Sequence, residues 1–113
     1  MEKDNIEKKL FTYALYSKDT ETYNILVIGY DDKATIDYYI NSFNSIYTDL
    51  CKYYKGDKLD LEKKNLQDKV NDSCIYQIGY FDNFKGEFVN DKKLLVDLFD
   101  FELKELEEKK INV

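Results

Sequence analysis

The sequence has no histidine, arginine, tryptophan or proline, and only four glycines and two cysteines in 113 residues. Each absence removes a class of chemistry. Without histidine there is no imidazole base, no Ser-His-Asp or Cys-His nucleophile pair and no histidine zinc site. Without arginine there is no guanidinium fork for phosphate, carboxylate or guanine, and all 17 cations are lysine. The few glycines build no P-loop, dinucleotide fingerprint or nucleophile elbow. Cys51 and Cys74, with 22 residues between them, make neither a disulfide framework nor a metal spacing, and their apolar neighbours predict buried free thiols. There is no signal peptide and no apolar run long enough to span a membrane, so a soluble, cytoplasmic protein is expected. The reading is of a non-enzyme with no cofactor and no metal.

What is present is acid and tyrosine. Twenty-three acids against 17 lysines give a net charge of −6, and hydrophobic residues make up 43% of the chain, enough for a core. Such a chain is repelled by nucleic acid overall and attracted to basic surfaces. Residues 51–70 alone reverse the balance, with six lysines to four acids. Tyrosine contributes eleven residues, a type enriched where a rigid ring with a polar tip meets a partner.

The length fits a single α+β domain over residues 1–113. Residues 10–16 and 23–30 are β-prone runs joined by a short polar link, which reads as a hairpin. Ile25 to Tyr30 carries no charge, and this predicts a central strand. From Asp31-Asp32 a helical period takes over. Ile36, Tyr39, Ile40, Phe43, Ile46, Tyr47, Leu50, Cys51 and Tyr54 form one apolar stripe, with Asp32 as N-cap and Gly56 as stop. A helix of this length is a rod of about 35 Å. Tyr39, Tyr47 and Tyr54 fall on the stripe, whereas Tyr38 and Tyr53 fall just off it. Tyr13 and Tyr16 cannot share a strand face.

Residues 57–72 read as a charged connection or short helix, with Asp60 as its N-cap. Residues 74–81 read as a strand, 82–86 as a turn and 87–89 as the return strand. Residues 91–110 place leucines at helical spacing and predict a C-terminal helical tail, although 93–99 could open as a strand. The expected architecture is a small antiparallel sheet from two hairpins packed on one long amphipathic helix, in the order ββαββα. Ile-Gly-Tyr occurs twice, at 28–30 and 78–80. Either a half-molecule duplication or the abundance of tyrosine would produce that repeat.

Two acidic groups invite a metal or hydrolytic reading. Asp31-Asp32 is accounted for by a helix N-terminus, where negative charge is favoured. Asp97, Asp100 and Glu102 read as the solvated face of the tail.

The run Ile75-Tyr76-Gln77-Ile78-Gly79-Tyr80-Phe81-Asp82-Asn83-Phe84-Lys85-Gly86-Glu87-Phe88 resembles a Tyr-x-aliphatic-Gly-x-Phe-Asp-x-x-x-Gly-x-apolar stretch. That stretch belongs to the small nonstructural proteins of gokushoviruses, single-stranded-DNA phages of the microvirus group. Tyr13-Ala14-Leu15-Tyr16, Lys18, Thr22-Tyr23-Asn24 and then Ala34, Ile36 and Phe43 are similar to that family's hairpin and helix. Residues 51–72 stand as an insertion, and the leucine-rich tail is longer than the family's. The resemblance implies a phage nonstructural protein, often described as DNA-binding, with Asp82 and Gly86 as structural turn positions.

Three functions follow. The first is a phage-type, anti-CRISPR-like inhibitor that occupies the basic nucleic-acid-binding surface of a host protein. Its candidate contacts are Asp31, Asp32, Asp37, Tyr38, Glu105, Glu107 and Glu108. The second is a single-stranded-DNA-binding protein using Lys52, Lys55, Lys58, Lys63, Lys64 and Lys69, with Tyr53 and Tyr54 for stacking. The third is a homodimeric scaffold whose exposed aromatics meet across a two-fold axis.

Overall fold

The computed structural model describes residues 9–107, which form a four-stranded antiparallel sheet and two helices. The elements are β1 (Phe11–Ser17), β2 (Thr22–Gly29), α1 (Asp32–Tyr53), α2 (Gly56–Asn71), β3 (Ser73–Asp82) and β4 (Glu87–Asp97). The class is the expected α+β. The order is ββααββ instead of ββαββα, because residues 56–71 form a full helix and the described part of the tail, through residue 107, forms none.

The sheet order is β2-β1-β3-β4, so the two hairpins join through β1 and β3. β2 is therefore an edge strand, contrary to the central position its charge-free sequence suggested. Its residues Ile25, Leu26 and Ile28 are exposed. Lack of charge reflects an uncovered apolar face here, not burial on two sides. A bulge places Ile25 and Leu26 opposite Ala14 and puts Ile25 at φ 50, a region that β-branched residues avoid. The displaced Ile25 carbonyl accepts the Tyr39 hydroxyl of α1 at 2.6 Å.

α1 begins one residue earlier than a cap at Asp32 requires. Asp31 holds the N-cap position and Asp32 lies in the first turn. Thr35 fastens this turn by donating its hydroxyl to the Asp31 carbonyl at 2.9 Å. α1 ends before Gly56, through extended Tyr54 and Lys55. Gly56 opens α2 instead of stopping α1, and Asp60 lies within α2 rather than at its cap.

The core gathers Tyr13 and Leu15 of β1, Tyr39 and Phe43 of α1, Val70 of α2 and Ile75 of β3 under both helices, and Leu98 and Leu103 complete it. Tyr47 packs against this cluster, whereas Tyr54 is at the exposed border. Cys74 is buried and Cys51 half-buried, both as free thiols.

The predicted helical tail is replaced by two different structures. Residues through Asp97 extend β4, and 98–107 run without regular structure. The segment is fixed by helix side chains in place of its own carbonyls. Asn71 Nδ2 donates to the Leu98 and Phe101 carbonyls at 2.9 and 3.0 Å, and Gln67 Nε2 donates to Phe101 at 2.6 Å. In return Gln67 Oε1 accepts the Leu103 amide, Asn44 Oδ1 the Lys104 amide and Thr48 Oγ1 the Leu106 amide. Gln67 and Asn71 are one turn apart on α2, as are Asn44 and Thr48 on α1. The two polar ledges thus hold an extended chain while Leu98 and Leu103 enter the core.

Candidate functional site

Both helices lie on the face of the sheet that carries Tyr13, Leu15 and Ile75. Strand alternation sends the neighbouring residues to the other face, which no element among the described residues covers. That open face carries Tyr16, Tyr23, Leu26 and Ile28 on β1 and β2. Register places Tyr76 beside Leu94 and Phe81 beside Phe88 on β3 and β4. Leu26 and Ile28 are each 64% exposed, and Phe81, Phe88 and Leu94 are also open to solvent.

Tyr16, Tyr23 and Tyr76 form a compact cluster on this face, with ring centroids 4.8 to 5.5 Å apart in tilted and edge-to-face arrangements. Ala14 shares the face, pairs with Tyr76 and is fully buried; its small side chain leaves room for the rings. Lys92 Nζ of β4 stands 4.9 Å from the Tyr23 centroid. Burial raises the Tyr16 and Tyr76 hydroxyls above their ordinary pKa, so both remain neutral donors. The sequences of β1 and β2 contain no acid. Asp97, at the end of β4, pairs with Lys18 at 2.9 Å, and that contact holds its carboxyl below its ordinary pKa. Most of the negative charge therefore lies on the helices, the turns and the tail.

The predicted acidic contacts separate into two groups. Asp31, Asp37 and Tyr38 are exposed around the start of α1, where Asp37 pairs with Lys33. Asp32 is different: its Oδ1 accepts the Tyr13 hydroxyl and the Gln77 amide, which commits it to the fold. Glu105 and Glu107 are exposed on the tail, alongside the C-terminal half of α1, where Glu105 neighbours Cys51. Thr48, which binds the tail, lies about 25 Å along the helix from Asp31. Glu108 lies outside the described residues.

The lysine alternative fares similarly. Lys52, Tyr53, Lys55, Lys58, Lys63, Lys64 and Lys69 lie at the end of α1 and along α2. Lys58 pairs with Glu62 and Lys64 with Asp68, while Lys63 sits over the Tyr47 ring. Their charge is largely answered on the helix itself. Tyr53 is 78% exposed, in keeping with its place off the stripe.

Among the described residues no three histidine, cysteine, aspartate or glutamate side chains gather to hold a metal ion, and no helix is long and apolar enough to cross a membrane. The open face escaped sequence reasoning because its residues come from four strands whose order was unknown. The one available signal was the parity of Tyr13 and Tyr16. No protein-family model matches the chain, and neither a curated protein nor a solved structure matches it.

Proposed function

We propose that the protein is a non-enzymatic, phage-type binding protein that seats its open sheet face on a host protein and keeps that partner's basic nucleic-acid-binding surface occupied. The observation that carries the reading is the uncovered face itself. A contiguous apolar and aromatic patch of this kind marks interaction sites in monomeric proteins, and tyrosine is the residue such sites favour. The net charge of −6 supports a basic partner by steering and by exclusion of acidic ones. The resemblance to gokushovirus nonstructural proteins supports the phage setting.

The test is retention of purified host nucleic-acid-binding proteins on the immobilised chain, compared with its Leu26→Glu and Ile28→Glu variants. Retention and inhibition lost in the face variants would support the reading. Equal retention by wild type and variants would sink it. Concentration-dependent light scattering that the same variants abolish would assign the face to a second copy of the chain.

One observation favours a second reading. The cluster of Tyr16, Tyr23 and Tyr76 beside Lys92 has the residue types of a stacking platform for single-stranded bases. Anisotropy of labelled single-stranded DNA at low and moderate salt decides this. Micromolar binding that collapses with salt and is lost in Tyr16→Ala would move the function to nucleic acid.

A further inference from the structure

The repeated Ile-Gly-Tyr tripeptide takes on a spatial meaning in the fold. Phe11, which opens β1, pairs with Gly29 on one side and Tyr80 on the other. Tyr30 and Tyr80, the last residues of the two copies, thereby reach the same end of the sheet. There they line a cleft of about 610 Å³ together with Leu10, Phe81, Asp82 and Phe84. This volume lies within the range of small-ligand sites. Phe84 is 91% exposed and Tyr30 60%, so two of the four rings stand largely in water.

The cleft already shows which chemistry its rings accept. The ammonium of Lys9 stands 4.2 Å from the centroid of the Tyr80 ring. A cation at this distance over a ring face is held by the ring quadrupole. Asp82 is the only acid in the lining, and its Oδ1 is fixed by the amides of Phe84 and Lys85 at 2.9 and 3.2 Å. The lining thus combines four aromatic rings, one carboxylate and an ammonium resting on one ring, the residue types that hold organic cations.

We propose that this cleft is a binding site for the ammonium of a lysine side chain, free or N-methylated, presented by a partner protein, and that Lys9 is its internal competitor. The site shares Phe81 with the open face, but Leu26 and Ile28 are not in its lining, so variants at those two positions test the sheet face without altering the cleft.

The test is NMR titration of the aromatic resonances with three probes: acetyl-lysine amide acetylated only at its α-amino group, its side-chain trimethylated form, and acetyl-norleucine amide as the neutral analogue that keeps the four-carbon stem and lacks the ammonium. Each is run on the wild type and on Lys9→Met. Saturable shifts at Tyr30, Tyr80 and Phe84 are expected, with the cationic probes binding roughly 2- to 30-fold tighter than norleucine. Lys9→Met should tighten the cationic probes at least twofold, and Tyr30→Leu or Phe84→Ala should erase their advantage. Both of those side chains are exposed, and unchanged circular dichroism verifies the fold. The proposal is overturned if norleucine binds as tightly as lysine, if no probe saturates in Lys9→Met, or if removing Lys9 leaves the affinities unaltered. Variants at Leu26 and Ile28 leave these titrations unchanged, so failure of the cleft and failure of the sheet face are separate results.

Discussion

The hydroxyl of Tyr13, on a fully buried side chain of β1, donates to Asp32 Oδ1 at 2.7 Å, and Gln77 Nε2 donates to the same oxygen at 2.8 Å. One carboxylate in the first turn of α1 thus ties the helix to the two central strands. Replacing Asp32 by alanine leaves two donors without their acceptor. A loss of about 1–3 kcal/mol is expected in denaturant unfolding. Asp31→Ala, with no side-chain cap bond to lose, should cost far less.

Alkali should expose the same network. Burial, followed by the Asp32 carboxylate, pushes Tyr13 up to about 12, and burial does the same for Tyr39, against an ordinary value of 10.0. The folded state holds these protons more tightly than the unfolded chain. Their contribution is therefore complete below pH 10 and is lost as pH rises towards 12. The denaturation midpoint should fall across that window, in step with tyrosinate absorbance. A Tyr13→Phe, Tyr39→Phe double variant should show a shallower fall. An equal slope in both proteins would remove these phenols as the cause.

Asn44 is 1% exposed, and its side-chain oxygen accepts the Lys104 amide at 3.1 Å. Asn44→Ala is expected to cost about 1–3 kcal/mol and to release the tail beyond Leu103. Hydrogen exchange at Lys104 and Leu106 should accelerate before exchange in β1 and β3 does. Uniform acceleration across the chain would mean that Asn44 supports the core and not the tail.

Two glycines should fail for different reasons. A Cβ on Gly79 would stand 2.1 Å from the Val89 carbonyl oxygen and 3.0 Å from the Phe88 ring, which lies over this residue on the open face. Gly79→Ala should cost about 1–3 kcal/mol or more by overpacking. Gly86 has open space around it but sits at φ +67 in the β3–β4 turn, so Gly86→Ala should cost about 1–2 kcal/mol from backbone strain alone. Thermal unfolding of the pair would check this ranking.

Charge reversal at Asp31 and Asp37 tests steering at small cost to the fold, since both are exposed and give up only a surface pair with Lys33 and a favourable place at the helix N-terminus. Association with a basic partner should slow at low salt and converge with wild type at high salt. An unchanged on-rate at low salt would exclude the start of α1 from the encounter.

Much of the fold was legible because it rests on local patterns. The stripe from Ile36 to Cys51 announced α1, and the two β-prone runs announced the first hairpin. The tail was misread for an equally local reason. Leu94, Leu95, Leu98, Leu103 and Leu106 carry helical spacing, yet Leu94 and Leu95 belong to β4, and from Leu98 onward the backbone is held by Asn44, Thr48, Gln67 and Asn71. Those four sit on helix faces that look like ordinary polar surface in sequence, and nothing in periodicity pairs them with a segment 27 to 60 residues away. The charge-free stretch of β2 was misplaced because composition does not distinguish a strand buried on two faces from one left bare. The cleft residues Tyr30 and Tyr80 were visible as a repeat, but only the register of β1 brought them together.

The bulge at Ile25 and Leu26 has one more effect. A bulge in a border strand disturbs the flat geometry that a foreign strand needs for backbone pairing, and the other border strand, β4, carries Asp91, Lys92 and Lys93 in sequence. A sheet with one apolar face bare is in principle open to strand addition and fibre growth. Among the described residues both border strands carry features that oppose such growth, which leaves the broad face as the surface favoured for contact.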